Sequence, residues 1–572
     1  MLEKIGKLEN LKSTEKYKVG LNKISEGTNL FENFIIFKNK KKFKIYNRIC
    51  DHAGGKIISK NSETICPVHQ WKFNPETGFY QNGIKKKELN FSINNNIIEI
   101  QILKLKPKIV NFSNKNHNTK IRFFNHAFLK FFGKDFSFSV DPWAIGPAFN
   151  TGWWLKYATK NDWIENLNNS DFIFISHNHP DHLHPLTLSK INKNIPIFVP
   201  NFLTDSTGKY IEDLGFKKIF RLEFNEQYNL KGTDLVISVL KSGDFREDSG
   251  IYFSNGSFEG LLSVDAQMLN FERFPNVNFY GGSFAGGATG YPLMFENYKP
   301  KERVKISLKD KNFLRMKKLQ DLKKIKPNYF MPYAGFFEEK LNRDSKIKKN
   351  NQKNSIEDYL SFCKKNKIEL LNVLKNDYFE FNGKVIQKVS NLKKEFTKDL
   401  KKEDYLNYFK SQYNKIDLAY IKEYFLKSKF KDNLHLYILL SDDSFKSLGE
   451  NYLIKFENSE IKFKKISNFK KSTKQNDKKN RKLILKVRKE SFLNTIYNKL
   501  PWEDLLVGFQ CKVLRSPNVY NYNFWHHFTN VYTTSKNVRS TTKCGACTKL
   551  TQFFDNNIYN SKDKILENQK FI

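Results

Sequence analysis

Residues 174 to 185, FISHNHPDHLHP, carry the side chains of this chain that are best suited to metal chemistry. They follow the apolar run DFIFIS, and they include four histidines and the acid Asp181. Imidazole and carboxylate groups are common ligands of zinc and iron, and buried histidines seldom cluster so densely without a cation. We therefore predict that this loop, at the end of a buried strand, binds metal.

The spacing H-x-H-x-D-H resembles the metal-binding loop of the metallo-β-lactamase fold. This resemblance implies that His177 and His179 face one metal position, while Asp181 and His182 face a second. His184 lies outside the pattern, and we predict that it is a loop histidine without a metal.

Further ligands must come from other parts of the chain. Asp265, in LLSVDAQ at the end of an apolar strand, fits a bridging aspartate, and Asp244, in KSGDFRED, lies where a third histidine is expected. No histidine occurs between His184 and His435, so the usual last ligand of a dinuclear hydrolase is missing. His126, in FFNHAF, either points into the same cleft or is an interior histidine. We predict a mononuclear non-haem iron with open positions, with zinc as the alternative.

A second group of ligands lies near the N-terminus, in CDHAGG and CPVHQW. Cys50 and His52 form a C-x-H pair, and Cys66 and His69 form a C-x-x-H pair. Two thiolates on one iron and two imidazoles on the other are the ligands of a Rieske [2Fe–2S] cluster. We predict this cluster, while a zinc site with the same ligands stays open as an alternative.

The strand and helix patterns divide the chain into three predicted regions, a multidomain α+β fold class. Residues 1–105 are short alternating apolar runs, which predict the small β domain that would hold the cluster. Residues 106–340 alternate strands, helices and glycine-rich turns, which predicts an αββα layered domain like that of the metallo-β-lactamases. Residues 341–572 become helical and then mixed α+β, and their role is left open.

The net charge of +39 ordinarily suggests a polyanionic partner. Here the lysines are scattered along the whole chain and form no basic stripe with aromatic residues, so we predict no nucleic-acid partner; a smaller anion such as a nucleotide sugar stays compatible. The N-terminus MLEKIGKLEN lacks a signal-peptide core, and no run approaches the roughly 18 to 20 apolar residues of a membrane helix. We expect a cytoplasmic protein without a membrane partner.

Three more features have both a functional and a structural interpretation. Trp143, Trp153 and Trp154 either shape a substrate cleft or belong to the core. The segment GGSFAGGATGYP either brings backbone amides to an anionic substrate or forms a tight turn. Cys544 and Cys547, in CGAC, form a lone C-x-x-C pair, which is weak evidence for redox chemistry or zinc.

The order of these motifs resembles the CMP-N-acetylneuraminate hydroxylase, or CMP-sialic acid monooxygenase, family. The resemblance rests on the two cysteine–histidine pairs followed by DPWAIGPAFNTGWWL, ISHNHPDHLHPLTL, FAGGATGYP and PYAGFF, and it extends to LPWEDLLVGFQCKVLRSPNVYNYNFW. It implies hydroxylation of the N-acetyl group of a CMP-sialic acid, or a related CMP-nonulosonate, to N-glycolyl. Dioxygen and electrons from NADH would be used, the latter through a separate reductase and a small cytochrome or ferredoxin. Asp244 departs from the G-V-H-P of the family, which leaves the metal set and the substrate open.

Two other hypotheses stay open beside this one. The first is a metal-dependent hydrolase of the metallo-β-lactamase fold with a regulatory Rieske domain, and the second is a non-catalytic Rieske electron carrier. In the leading hypothesis the Rieske cluster delivers electrons one at a time to a second metal. The residues predicted to hold that metal and act in catalysis are His177, His179, Asp181, His182 and Asp265, with Asp244 as a further ligand.

Overall fold

The computed structural model describes most of the chain. The described residues are 2–7, 9–48, 57–60, 62–65, 72–80, 85–108, 118–202, 204–242, 247–256, 258–266, 269, 271, 274, 276–382, 385–389, 395–398, 400–458, 460–467 and 481–532.

The N-terminal region consists of three small antiparallel sheets, and the first two pack around a core that includes Phe34, Ile45 and Ile98. A short 3-10 helix, Leu21–Lys23, follows directly after strand Glu9–Gly20. In sheet order, the strands are Phe91–Asn94, Ile97–Lys108 and Glu9–Gly20; Gly27–Leu30, Phe34–Asn39 and Lys42–Asn47; and Ile58–Lys60, Glu63–Ile65, Lys72–Asn74 and Phe79–Tyr80.

Two eight-stranded sheets form the centre of the molecule. The first sheet has the strand order Ile219–Leu222, Ile197–Pro200, Phe172–Phe174, Ser137–Val140, Phe128–Phe132, Thr119–Asn125, Tyr378–Asn382 and Val385–Val389. The second sheet has the order Leu2–Lys7, Glu226–Leu230, Leu235–Lys241, Ser249–Asn255, Phe258–Leu262, Phe279–Ser283, Tyr329–Tyr333 and Glu369–Leu370.

The two sheets face each other across an aromatic core. Phe131 and Phe138 of the first sheet contact Phe253 of the second, with ring centroids 4.9 and 5.6 Å away. Burying such large apolar side chains is the main force that holds two sheets together. Helices cover the outer faces of both sheets: Trp163–Asn168, Pro185–Ser189 and Ser206–Asp213 lie on the first, and Pro300–Ile325, the 3-10 turn Glu357–Tyr359 and Leu360–Lys365 lie on the second. The 3-10 turn Asn342–Asp344 leads into helix Ser345–Asn350, whose Ile347 packs against the core of the C-terminal region.

This arrangement is the αββα layering that the sequence predicts, and the predicted fold class is confirmed. Strand Leu2–Lys7 joins the second sheet by pairing with Glu226–Leu230, and strand Tyr378–Asn382 joins the first. The sheets thus take in strands on both sides of the predicted range 106–340. The predicted domain boundaries stay a prediction.

The C-terminal region is built on a five-stranded sheet with its own core. Its strand order is Glu460–Lys465, Ser447–Glu457, Leu434–Ser441, Lys482–Arg488 and Cys511–Ser516. Its helices are Lys402–Gln412, Leu418–Leu426, Lys489–Tyr497, Glu503–Val507, Tyr522–His526 and the π-helix His527–Val531. A small sheet of Pro147–Ala148, Trp153–Leu155 and Phe337–Glu338 lies against this core.

Close backbone contacts join the C-terminal region to the central sheets. A Cβ atom on Gly152 would lie 2.0 Å from the carbonyl oxygen of Gly508, so the two backbone segments can approach this closely only with glycine at position 152. The indole of Trp153 donates a hydrogen bond to the carbonyl of Val507 at 3.0 Å. In the described part of the chain, no helix combines the length and the apolar character that a membrane crossing requires.

Candidate metal centre

The histidine loop begins where strand Phe172–Phe174 leaves the first sheet. This strand pairs in parallel with Ser137–Val140, so that Val140 lies opposite Phe174 and both strands end at the same edge. The carboxyl ends of parallel strands are a usual place for functional groups in layered α/β folds. The segment from His177 to His182 is held at that edge, and its side chains point inward.

His184 has a structural role at the end of this loop. It is the N-cap of helix Pro185–Ser189, where its Nδ1 accepts a hydrogen bond from the backbone N–H of Thr187 at 3.1 Å. Its Nε2 lies 3.1 Å from the carbonyl oxygen of Pro147. Both ring nitrogens therefore have partners within the fold, as expected for a loop histidine outside the metal pattern.

A first group of ligand atoms consists of His177, His179 and Asp248, whose ligand atoms lie within 4.8 Å of one another. His177 Nε2 is 2.9 Å from His179 Nδ1 and 4.0 Å from Asp248 Oδ1. Asp248 was not predicted from the sequence, which indicated Asp244, four residues earlier in the same acidic segment, GDFRED. Asp244 lies outside the described residues. The buried strand Ser249–Asn255, which starts directly after Asp248, is the signal that would have marked it.

A second group consists of Asp181, His182 and His126. Asp181 Oδ2 lies 3.1 Å from His126 Nε2 and 3.4 Å from His182 Nε2. His126 thus points into the same cleft as the loop, which was one of its two interpretations. It occupies the turn between strands Thr119–Asn125 and Phe128–Phe132 with φ at +41°, a conformation that a histidine adopts at some cost.

Asp265 lies between the two groups. Its Oδ2 is 3.7 Å from His182 Nε2 and 4.0 Å from His177 Nε2, and these three residues form a further possible ligand set. This position is the one expected of a bridging aspartate. The structure therefore brings together all five residues predicted as catalytic, which are His177, His179, Asp181, His182 and Asp265.

Hydrogen bonds within the central domain orient two of the histidines. His182 Nδ1 lies 3.0 Å from Asp141 Oδ2, so it donates to that carboxylate and leaves Nε2 facing the cleft. Asp141 also accepts bonds from the backbone N–H and the hydroxyl of Ser176, each at 2.7 Å. The same hydroxyl lies 2.9 Å from His177 Nδ1, which leaves Nε2 of His177 facing the cleft as well. Such outer partners fix the tautomer that a metal-binding histidine needs.

Electrostatics in the cleft couple these groups. Burial, followed by the charges of His182 and His179, lowers the pKa of His177 well below its usual value. For His182 burial acts in the same direction, but the charges of Asp181 and Asp141 outweigh it and raise its pKa. Burial acts against ionisation of Asp265, yet the interaction with the nearby His182 imidazole outweighs it and lowers the pKa of Asp265 to about 2. The acids are thus held as carboxylates, the form that binds metal.

Unpaired buried atoms test whether a cation fits these residues. His182 Nε2 and Asp181 Oδ1 are buried, and neither has a hydrogen-bond partner in the structure. Leaving such atoms unpaired costs about 1 to 3 kcal/mol each. A cation between them would satisfy both, so the donor set of imidazoles and carboxylates fits a bound metal.

The three tryptophans belong to the core. Trp143, Trp153 and Trp154 are buried, and each indole N–H donates to a backbone carbonyl. Trp153 stacks on Phe337 with centroids 3.6 Å apart. In the glycine-rich segment, a Cβ atom on Gly290 would lie 2.3 Å from the carbonyl oxygen of Leu506, so this turn packs against the C-terminal region. The structure thus gives these features packing roles.

The ligands of the N-terminal site lie outside the described residues. These are Cys50, His52, Cys66 and His69, and the same holds for the pair Cys544 and Cys547. The described strand Glu63–Ile65 ends one residue before Cys66, in the small four-stranded sheet.

Residues 9–91 match the family model described as "Rieske [2Fe-2S] domain". The chain is therefore an iron–sulfur protein with a Rieske domain, as predicted, and this domain implies a [2Fe–2S] cluster. Non-haem iron in the central domain is consistent with the clustered histidine and aspartate ligands.

The similarity to curated relatives extends over nearly the whole chain. The chain is 28% identical over 558 residues to the cytidine monophosphate-N-acetylneuraminic acid hydroxylase of Pongo pygmaeus, covering 88% of this chain and 92% of that protein. It is 29% identical over 545 residues to the hydroxylase of the same name from Xenopus laevis, covering 87% and 88%. The resemblance stated from the motifs is confirmed, and so is the prediction of an oxidoreductase of the Rieske monooxygenase type.

Solved structures align with only part of the chain. The putative metal-dependent hydrolase of Parabacteroides distasonis is 12% identical, with a TM-score of 0.27, covering 46% of this chain and 96% of that chain. CmlA, a diiron β-hydroxylase from Streptomyces venezuelae, is 16% identical with a TM-score of 0.26, covering 40% and 46%. The fold assignment above rests on the sheets of this chain itself.

Proposed function

We propose that this protein hydroxylates the N-acetyl group of a CMP-activated sialic acid, or of a related CMP-nonulosonate, to N-glycolyl. Dioxygen would be consumed, and the electrons would come from NADH through a separate reductase and a small cytochrome or ferredoxin. The observation that carries this proposal is the presence of a Rieske domain and a buried histidine–aspartate centre in one chain. The near full-length similarity to hydroxylases of CMP-N-acetylneuraminic acid supports the substrate class.

The residues of the central domain would hold metal at two adjacent positions. His177, His179 and Asp248 would hold one, and Asp181 with His182 the other, while Asp265 lies between them. The single iron predicted from the sequence stays a prediction, and this geometry favours a second position beside it. When bound, the cluster and this centre supply the electron transfer and dioxygen chemistry that cleavage of a methyl C–H bond requires.

His126 would position a carboxylate in this centre. With its N–H on Nε2, it donates to Asp181 Oδ2 at 3.1 Å and fixes the direction of that carboxylate. Its own turn is held on the far side by the N–H of Ala334, which donates to the carbonyl of His126 at 2.8 Å.

A small cleft lies beside His179, next to the candidate metal position. One wall is the metal loop, with Asn178 and Asp248, and the other comes from the C-terminal region, with Trp525, His526 and Asn530 among its lining. The cleft has a volume of about 20 Å³, roughly the space of one water molecule, so it does not by itself accommodate a nucleotide sugar.

A single-turnover assay tests the proposal. The full chain, with a reducing system, dioxygen and CMP-N-acetylneuraminate, is expected to give a product with one added oxygen atom, labelled when ¹⁸O₂ is used. Cys66→Ser and His182→Gln should abolish this product. His435→Gln is the matched control, because His435 is equally buried but lies in the five-stranded sheet beside Glu457.

Two results would contradict the proposal in favour of the other hypotheses. Turnover of a phosphodiester or lactone without reductant, unaffected by Cys66→Ser, would indicate a hydrolase. A Rieske spectrum with no hydroxylation of any CMP-nonulosonate would indicate an electron carrier.

A further inference from the structure

His179 differs from His177 and His182 in its outer partner. Ser176 and Asp141, both from the central domain, orient His177 and His182. His179 turns its Nδ1 toward His177 Nε2, at 2.9 Å, so its other ring nitrogen, Nε2, points away from the metal position.

The group nearest to that outer nitrogen comes from the C-terminal region. Glu503 Oε2 lies 3.8 Å from His179 Nε2, although more than 300 residues separate the two in sequence. The His179 side chain is mostly buried, whereas that of Glu503 is about one-quarter exposed, at 28%. A carboxylate beside the outer N–H of a metal-binding histidine is the usual arrangement in metalloproteins.

The C-terminal region holds Glu503 in this place through a π-helical turn. The backbone N–H of Glu503 donates to the hydroxyl of Thr529 at 3.0 Å, and Thr529 belongs to the π-helix His527–Val531. The next residue of that turn, Asn530, accepts a hydrogen bond from the side chain of Asn178 at 3.3 Å. Asn178 lies between His177 and His179, so one turn contacts both the metal loop and the residue carrying the carboxylate. π-Helical turns often occur at functional sites for such reasons.

We infer that Glu503 is the positioning residue of His179, so that the C-terminal region completes the metal centre of the central domain. Glu503 Oε2 faces the Nε2 of His179 at 3.8 Å, and a small rotation of its side chain would bring it within hydrogen-bond distance of the Nε2–H. Accepting that proton would keep Nδ1 unprotonated and directed at the metal position shared with Asp248. This inference rests on the proposed function only in requiring that metal binds at the loop, and it gives the region after residue 340 a defined part in the centre.

Metal affinity tests this inference without any turnover. The full chain carrying its Rieske cluster is freed of other metal with a chelator and titrated with Co²⁺, and the visible absorption of the bound ion is followed. Glu503→Ala is expected to weaken binding by about 10- to 100-fold at one position, the usual effect of losing an outer partner. Glu503→Gln should recover most of the affinity, because the amide oxygen still accepts the N–H of His179.

Two further variants separate positioning from general stability. Glu490→Gln is the matched control, since Glu490 is also a partly buried acid of the C-terminal region but pairs with Lys489. The Glu490→Gln chain should bind Co²⁺ as tightly as the unmodified chain. Thr529→Val keeps the Glu503 carboxylate but removes the hydroxyl that anchors the backbone of Glu503, so we expect a smaller loss of Co²⁺ affinity than for Glu503→Ala. This variant keeps the inference testable if Glu503→Ala does not fold.

Equal Co²⁺ affinity of Glu503→Ala and Glu490→Gln would overturn the inference. A Glu503→Gln chain as weak as Glu503→Ala would do so too, because positioning by hydrogen bonding predicts recovery. Failure of the unmodified chain to bind Co²⁺ would overturn both this inference and the proposed function. Graded Co²⁺ affinities without any hydroxylation would contradict the proposed function and still support the role of Glu503.

Discussion

Two regions support the metal loop, and they do so in different ways. The central domain reaches the loop from within its own sheet, where the fully buried Asp141 accepts three hydrogen bonds, from His182 and from Ser176. The C-terminal region reaches the loop across a packing interface, through the partly exposed Glu503. Because buried charges interact more strongly than exposed ones, the first support should affect folding and metal binding, and the second mainly metal binding.

The largest effect should come from Asp141→Asn. The amide cannot accept all three bonds, and it leaves His182 without its charged partner. We expect a loss of about 3 to 5 kcal/mol in the free energy of unfolding, the usual result of breaking a buried charged pair, and loss of metal at the position of His182. Denaturant unfolding and metal analysis measure both. Asp171→Asn, an exposed acid that accepts the N–H of Ser137 at 2.7 Å, is the control. Equal metal content in the two variants would contradict this prediction.

Gly508→Ala tests the interface that carries the second support. An added Cβ would lie 2.3 Å from the carbonyl oxygen of Phe149, so the two regions must move apart. We expect a loss of about 1 to 3 kcal/mol in stability, as for other overpacked sites, together with weaker metal binding. Gly215→Ala is the control, because its Cβ would meet nothing within 4 Å; its φ of +87° adds a backbone cost that Gly508, at −79°, does not have. If Gly508→Ala binds metal as tightly as Gly215→Ala, the interface does not contribute to the centre.

Asp248→Asn and Asp244→Asn sharpen the ligand assignment within the central domain. Asp248 shares a ligand set with His177 and His179, so losing its charge should weaken Co²⁺ binding at least about tenfold. Asp244→Asn should have the smaller effect. The reverse order of the two affinities would restore the assignment made from the sequence.

The smallest effect should be a pH dependence of stability that comes from His527 in the C-terminal region. His527 Nε2 donates to the carbonyl of Ser428 at 2.8 Å, in a site lined by the rings of Phe430 and Tyr532 and next to His526. Burial lowers the pKa of His527 to about 4. Since this is below the unfolded value, near 6.5, its contribution to stability is present above pH 6.5 and is lost as the pH falls toward 4. His527→Gln retains the hydrogen bond and should reduce the loss of stability between pH 7 and 5, measured by urea unfolding. An unchanged pH dependence would show that other groups cause it.

Parts of the centre could be predicted because their spacing is local. His177, His179, Asp181 and His182 follow one strand, so any fold that buries the strand also brings these side chains together. The two cysteine–histidine pairs are local in the same sense, and the domain match at residues 9–91 confirms the Rieske prediction. The alternating strand and helix patterns were likewise sufficient to predict the layered fold class.

Other parts could not be predicted, because distant segments supply them. Asp141 reaches His182 through the parallel pairing of Val140 with Phe174, and nothing in the sequence around Asp141 indicates this contact. For His126 the sequence left two interpretations open, and the left-handed turn of its hairpin decides between them by directing the side chain into the cleft. Asp248 was not predicted, because composition does not say which acid of a segment enters the core, and Asp244 stays a prediction.

The sequence by itself determined which chemistry this protein carries: a Rieske cluster and a histidine-rich metal loop, since ligand type and short spacing specify both. Only the tertiary structure decided which groups orient those ligands. The C-terminal region has no metal motif among its described residues, yet it packs against the central domain through Gly152 and Gly508 and brings Glu503 to His179. Contacts between segments this far apart depend on packing of whole domains, which periodicity and motif spacing do not encode.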